Sequence, residues 1–145
     1  MKRRKGREIA LQILYQKDTA KIGIEEAIRN YKDHFNRDNP ESLKFGEELA
    51  RGVAQHQEFI DELIKKYTPS WPFERLNLTD RNILRLGIYE MFFRPDIPEV
   101  VSINEAVELA KLYGTDDSPA FINGVLDSIY KKEIKPLQKE KPEEG

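Results

Sequence analysis

Cysteine is absent from the 145-residue sequence, and histidine occurs only twice. The lack of cysteine excludes disulfide bonds, thiolate catalysis, iron–sulfur clusters and cysteine-ligated zinc sites. His34 and His56 are far apart in the sequence, and neither has a histidine or cysteine neighbour at ligand spacing. The sequence therefore predicts no metal site and no cofactor.

Long apolar stretches are also missing, since no run approaches the roughly 18 residues that span a membrane. The basic first residues lead directly into alternating polar residues, so the apolar segment of a signal peptide does not follow them. The motifs of phosphate-binding loops, dinucleotide-binding folds, serine hydrolases and zinc proteases do not occur either. These absences favour a cytoplasmic protein that is not an enzyme.

Positive charge is concentrated at the N-terminus. Residues 1–7 contain five of the 24 lysine and arginine residues and no acid, whereas the rest of the chain holds 19 basic and 26 acidic side chains. An acidic body repels a polyanion, so any affinity for nucleic acid must be local. The basic run predicts a flexible arm that binds phosphates through its arginines and lysines, with a merely solubilising terminus as the alternative.

Apolar residues recur at helical spacing almost throughout, and no strand pattern is convincing. The first helix is expected from about Arg4 to Thr19. A cap followed by proline at residues 39–40 predicts the start of one long helix that ends before Pro69. Thr79 is expected to cap a central helix that is buried on several sides and ends at Phe93. The predicted fold is all-α, with about seven helices in two packed helical bundles that form one compact domain.

Two prolines between Thr68 and Phe73 predict a joint between the bundles, with Trp71 as an apolar anchor. The charged C-terminus, poor in apolar residues, predicts a disordered tail. The expected organisation is a basic arm and N-terminal bundle over residues 1–67, the joint over 68–78, a C-terminal bundle over 79–133 and the tail over 134–145.

Several polar and aromatic residues of the second half have open interpretations. Ser102 and Glu105 have the spacing of a capping box at a helix start. Arg85 stands one turn after an arginine and is expected on a solvated ridge or beside an acid of the same helix. Tyr113 and Phe121 flank a loop where an unpaired base can stack, although the phase of Phe121 with later apolar residues favours the core.

Three blocks of sequence, in order, resemble the NusB family of transcription antitermination factors. They are Arg7–Tyr15, Arg81–Glu90 and the stretch from Pro98 to Ser128 that contains Ser102–Lys111 and Phe121–Asp127. The resemblance implies an all-helical fold of two bundles and binding to the boxA element of nascent RNA together with NusE, the tenth protein of the small ribosomal subunit. It also implies assembly with NusA and NusG on RNA polymerase, which then reads through terminators, notably in ribosomal RNA operons. Some family members form homodimers.

The resemblance also implies roles for individual residues. Those expected to bind RNA are the basic arm, with Lys2, Arg3, Arg4, Lys5 and Arg7, and four residues of the second half, Arg85, Tyr113, Asp117 and Phe121. Those expected to bind NusE are Tyr15 and Asp80. Ala120 stands where some relatives carry a basic side chain.

Two alternatives follow from the same sequence. One is a helical protein–protein adaptor that does not bind RNA specifically and whose basic arm is incidental. The other is an RNA-modifying enzyme, because NusB-like domains occur fused to ribosomal RNA methyltransferases, but the 145 residues leave no room for a Rossmann-type catalytic domain.

Overall fold

The structure, a computed structural model, describes residues 2–34 and 37–140. Within these ranges every regular element is helical, as the apolar spacing predicts. Seven α-helices of at least 11 residues are followed by a short one. They are α1 (Lys2–Ala20), α2 (Ile24–His34), α3 (Pro40–Gln55), α4 (Gln57–Tyr67), α5 (Leu78–Phe93), α6 (Glu99–Tyr113), α7 (Ser118–Ile129) and α8 (Lys135–Glu140).

Helix α5 lies at the centre and packs against α1, α3, α4, α6 and α7. Its apolar side chains are fully buried on more than one face, with Ile83, Leu84 and Ile88 at 0% exposure. The prediction of a central helix buried on several sides is confirmed. Helix α1 of the N-terminal half packs on α5 of the C-terminal half as well as on α3. The two predicted bundles are therefore in contact, and the boundaries between them stay predictions.

Helices α1 and α3 make the most extensive contact in the fold, and glycine allows it. A Cβ atom on Gly46 would lie 2.8 Å from the backbone oxygen of Gly6, and one on Gly6 would lie 2.7 Å from the ring of Phe45. Both distances are shorter than carbon side chains tolerate, so the two helices approach along a line that only glycine permits.

The start of α3 is confirmed, since the Asn39 side chain accepts a hydrogen bond from the amide of Glu41 at 2.8 Å. The single long helix predicted beyond it is wrong. His56 interrupts the helix with φ −113° and ψ 21°, and α4 begins in a new direction. The His56 ring stacks on Phe93 of α5 at 3.9 Å between centroids, which fixes the bend against the central helix.

Two predicted helix caps are also wrong. Helix α5 begins two residues earlier than expected, with Asn77 as its cap, and the Asn77 side chain accepts a hydrogen bond from the amide of Thr79. Helix α6 begins at Glu99, so Ser102 lies inside the helix, buried, and donates to the carboxylate of Glu90 at 3.1 Å.

The basic run is more ordered than predicted, and the joint is arranged differently. Helix α1 already begins at Lys2, so the basic run is helical rather than a flexible arm. In the joint, Trp71 is 59% exposed, so it is not the apolar anchor that the sequence predicts. Phe73 packs against the core instead, with the Arg81 guanidinium 4.7 Å above its ring.

The predicted disordered tail is wrong for residues 134–140. Ile134 ends a π-helical turn (Tyr130–Ile134), and α8 begins at the next residue. Ile134 is buried, and Glu133 accepts hydrogen bonds from Tyr67 and Lys66 of α4. Apolar burial and these bonds hold the segment against the body. Residues 141–145 lie outside the described part of the chain.

Across residues 2–34 and 37–140, no helix combines the length and the apolar character needed to cross a membrane.

Candidate nucleic-acid interface

Three adjoining depressions cross the face formed by α1, α5, α6 and α7. We name them the arm groove, the tyrosine groove and the tryptophan cavity, and together the binding strip. The arm groove is lined by Arg4, Arg7, Glu8, Glu105, Glu108, Leu109, Lys111 and Leu112. The tyrosine groove is lined by Leu11, Gln12, Tyr15, Thr79 and Tyr113. The tryptophan cavity is lined by Trp71, Arg75, Leu76, Asn77, Asp80, Thr115, Asp117, Ser118 and Phe121.

The three depressions adjoin one another through neighbouring residues. Tyr113 of the tyrosine groove donates a hydrogen bond to Glu8 of the arm groove. Thr79 and Asp80 are neighbours in the first turn of α5, and they line the tyrosine groove and the tryptophan cavity respectively. Residues from four helices thus meet on one surface, although some of them, such as Glu8 and Tyr113, are 105 positions apart in the sequence.

Two exposed cations of the arm, Arg3 and Arg4, form hydrogen bonds with carboxylates elsewhere in the fold. Arg4 donates two hydrogen bonds to Glu105, at 2.8 and 3.1 Å, while Arg3 pairs with Asp96 at 2.9 Å. The hydrogen bond from Arg4 lowers the pKa of Glu105, and the same bond raises the pKa of Arg4. An RNA phosphate that binds Arg4 must therefore compete with Glu105.

The remaining exposed cations of the arm are Lys2 and Lys5. Lys2 pairs with Glu41 of α3 at 3.1 Å, through side chains that are more than half exposed. Lys5 is exposed and forms no ion pair with the described residues. Such exposed pairs are weak, so both lysines can reach a phosphate at little cost.

Arg7 differs from these exposed cations because it is buried, so its contact with RNA stays a prediction. It is 4% exposed and donates to both carboxylate oxygens of Glu90, at 2.7 and 2.8 Å. A weaker contact to Glu105 measures 3.4 Å. Its guanidinium is enclosed between α1, α5 and α6, so it fixes these helices.

Arg85 is likewise buried, so the predicted solvated ridge is wrong, while its contact with RNA stays a prediction. It is 3% exposed and donates two hydrogen bonds to Asp61 of α4, at 2.8 and 3.1 Å. It also donates to Asp18 of α1 at 2.8 Å and to Asn82 at 3.0 Å. The guanidinium joins three helices and is saturated by these acceptors.

The tyrosine groove presents two aromatic side chains to solvent, Tyr15 at 45% and Tyr113 at 43% exposure. The hydrogen bond to Glu8, with partial burial, raises the pKa of Tyr113 to about 12. Tyr113 therefore stays neutral at physiological pH, and its ring is held in place at the junction of two grooves.

The tryptophan cavity contains the other predicted residues. Phe121 is half-buried and packs against the core while lining the cavity, so the two interpretations of this residue are compatible. Asp117 is exposed at the start of α7, and its side chain makes no capping hydrogen bond. Asp80 is only 8% exposed and lines the tryptophan cavity, whereas the exposed Tyr15 lines the tyrosine groove.

Sequence reasoning missed the acidic side of the strip and the role of the joint. The sequence pattern predicts Glu105 in a helix cap and Trp71 as an apolar anchor of the joint. For Glu105, Pro98 contained the relevant information, because proline is favoured at the beginning of a helix. A helix that begins at residue 99 places Glu105 well inside α6, where its side chain can reach α1.

Comparisons with known proteins agree with this fold. The pattern of the NusB family matches residues 4–131. The transcription antitermination protein NusB of Myxococcus xanthus is 47% identical over 130 residues, which cover 88% of this chain and 93% of that protein.

Solved structures give the same result. NusB of T. maritima superposes with a TM-score of 0.84 at 34% identity, covering 96% of this chain and 97% of that one. A structure of the antitermination factors NusB and NusE in complex with double-stranded RNA matches with a TM-score of 0.81 at 29% identity, covering 90% of this chain and 96% of that one. The chain belongs to the NusB family.

Proposed function

We propose that this chain is an RNA-binding transcription antitermination factor. It binds the boxA element of nascent ribosomal RNA together with NusE, and so helps RNA polymerase to read through terminators. The observation that carries the proposal is that the three depressions lie beside one another, which brings the exposed Arg4, the exposed rings of Tyr15 and Tyr113 and several hydrogen-bonding groups onto one face. That combination is what a single-stranded RNA requires, namely charge for the phosphates and stacking for the bases.

The phosphate contacts are assigned to Arg4, which lines the strip, and to Lys2, Arg3 and Lys5 beside it. These side chains are exposed and cluster on the first turns of α1. Their contribution is independent of sequence and sensitive to salt, because binding to them releases counterions from the RNA.

The base contacts are assigned to Tyr113, Asp117 and Phe121. The two rings offer stacking surfaces, and the free carboxylate of Asp117 accepts hydrogen bonds from base edges. The relative that was crystallised with NusE and RNA supports an RNA-binding role for this fold.

The NusE contact is assigned to Tyr15 and to the first turn of α5, which holds Asp80. Tyr15 is a large exposed ring beside Thr79, the type of residue that anchors protein interfaces. NusE bound there would lie beside the arm and the bases, so both proteins could hold the same RNA strand. Sharing one strand raises the affinity of each protein through a high effective concentration.

The wider assembly follows from the same assignment. The complex would join NusA and NusG on RNA polymerase in the cytoplasm, and no catalytic step is part of the proposal. A homodimer that covered the binding strip would compete with RNA and NusE.

Fluorescence anisotropy tests the proposal with a boxA RNA and a scrambled RNA, each with and without NusE, at two salt concentrations. We expect tighter binding to boxA, a further gain with NusE, and loss of that gain in Tyr15→Ala. Phe59→Ala is a matched control, because Phe59 is also 45% exposed but lies on α4, outside the strip. Equal weak binding to both RNAs without help from NusE would favour the adaptor alternative.

A further inference from the structure

The tryptophan cavity has features that the proposed roles do not use. Its volume is about 230 Å³, and it opens beside Trp71, whose indole ring is 59% exposed. An exposed indole in a linker is costly to solvate and contributes nothing to the core described above. On the opposite helix, the half-buried Phe121 supplies a second aromatic surface, and Leu76 adds an apolar one.

One hydrogen-bond acceptor in this cavity has no partner. Asp80 is 8% exposed, and its Oδ1 atom is buried without a hydrogen bond in the described part of the chain. A buried polar atom of this kind loses its interaction with water and gains nothing in return. A ligand that brings an N–H group to Asp80 would satisfy it.

The charges around the cavity select the class of ligand. A phosphate is disfavoured by the carboxylates of Asp80 and Asp117. A cationic side chain is disfavoured by Arg75 and by the N-terminal ends of α5 and α7, which carry partial positive charge. A neutral planar ring with N–H donors on its edge is compatible with every group that lines the cavity.

We propose that the tryptophan cavity holds a single nucleobase of the bound RNA, stacked on Trp71 and donating an exocyclic N–H to the Oδ1 atom of Asp80. Adenine, cytosine and guanine carry such an amino group, whereas uracil does not. The cavity thus discriminates between bases at one position of the RNA. This inference rests on the proposed RNA-binding function and adds Trp71 as a residue that contacts the RNA.

Trp71 is the only tryptophan of the chain, so its fluorescence reports on the cavity directly. The full chain is titrated with cytidine, adenosine, guanosine and uridine. We expect saturable quenching at lower concentrations of the three amino-bearing nucleosides than of uridine. Asp80→Asn should reduce this difference, because an amide offers both a donor and an acceptor in place of a carboxylate.

Binding of single-stranded boxA RNA is measured by anisotropy in parallel. Trp71→Ala should weaken it by roughly fivefold to a hundredfold, the range for loss of one base–aromatic stack. Trp71→Phe should retain most of the affinity, and Phe59→Ala, which removes an exposed ring elsewhere, should retain all of it. Because Trp71 is exposed, each variant should keep the circular dichroism and unfolding midpoint of the parent.

The outcomes separate this inference from the proposed function. RNA bound with no change in Trp71 emission, or with unchanged affinity in Trp71→Ala, overturns the nucleobase site and leaves RNA binding intact. Quenching by NusE alone, without a response to nucleosides, overturns it in favour of a partner side chain. If the chain binds no RNA, the proposed function fails, and the nucleoside titration alone decides whether the cavity accepts a base.

Discussion

Arg7 of α1 donates to both carboxylate oxygens of Glu90 in α5, at 2.7 and 2.8 Å, and both side chains are buried. Arg4, three residues earlier, holds Glu105 in the same two-bond geometry but is half exposed. Two arginines one helical turn apart therefore have different roles, one in stability and one available to a ligand. We therefore expect substitution of Arg7 to change stability and substitution of Arg4 to change RNA affinity.

Arg7→Ala should lower the free energy of unfolding by about 3–5 kcal/mol, because it leaves the Glu90 carboxylate buried and unpaired. Arg4→Ala should leave the free energy of unfolding within about 0.5 kcal/mol of the parent, since its pair is exposed. The same Arg4→Ala variant should reduce the magnitude of the salt slope of RNA binding by roughly 0.7, the value for one phosphate contact on a single strand. Urea unfolding and anisotropy at several salt concentrations measure the two effects. Equal stability losses in both variants would contradict the assignment.

Glu105→Gln should increase RNA affinity. The variant removes the carboxylate that competes for Arg4, and we expect a gain of roughly 1.5- to 5-fold, the scale of an exposed ion pair. Glu62→Gln is the control, because Glu62 pairs with Lys65 at 3.4 Å outside the binding strip. A decrease in affinity would show that Glu105 positions Arg4 for the RNA instead of withholding it.

Arg85→Ala should destabilise the chain by about 3–5 kcal/mol, since Asp18 and Asp61 lose a shared buried cation. Arg51→Ala breaks a pair with Glu25 of similar length, 2.9 Å, but on the surface, and should cost at most about 1 kcal/mol. Urea unfolding compares the two variants. Specific loss of RNA affinity in Arg85→Ala, with unchanged stability, would support the direct RNA contact that the family resemblance implies.

The Tyr113 hydroxyl should titrate near pH 12, above the ordinary value of 10.0, because its hydrogen bond to Glu8 favours the protonated form. A pKa raised in the folded state means that the bond stabilises the fold below about pH 10 and that this contribution is lost as the pH rises through 12. Glu8→Ala should return the pKa of Tyr113 toward 10.0. The phenolate absorbance difference between each protein and its Tyr113→Phe counterpart isolates this residue, and an unshifted titration would exclude the bond.

Much of the fold could be predicted from the sequence, because helical spacing of apolar residues determines which segments are helices and which faces are buried. The bend at His56 could not, because it depends on a ring stack with Phe93, 37 positions away in the sequence. Arg7 and Arg85 were placed on the surface because isolated arginines are usually exposed. The sequence did hold a contrary indication for Arg85, since polar residues on a helix that is buried on several sides must find partners inside.

The binding strip was predictable in part. Composition and family resemblance predict the basic run, Tyr15, Tyr113 and Phe121, and of these the structure places Arg4 and the three aromatic residues along the strip. The acidic partners of the arm were not found, because pairs such as Arg4 and Glu105 are 101 positions apart. Only the packing of α6 on α1 and α5 brings them together.

The buried ion pairs of Arg7 and of Arg85 also determine which parts of the chain can unfold locally. Arg7 ties the beginning of α1 to α5 across 83 residues of sequence, and Arg85 ties α5 to the end of α1 across 67. Since α1 is fastened near both ends, it cannot detach by fraying from either terminus. The backbone amides of its middle turns, around Ile9 and Ile13, should then exchange with solvent deuterium only when the whole chain unfolds. The most slowly exchanging amides of the protein would thus lie in the same helix that carries the RNA-binding arm.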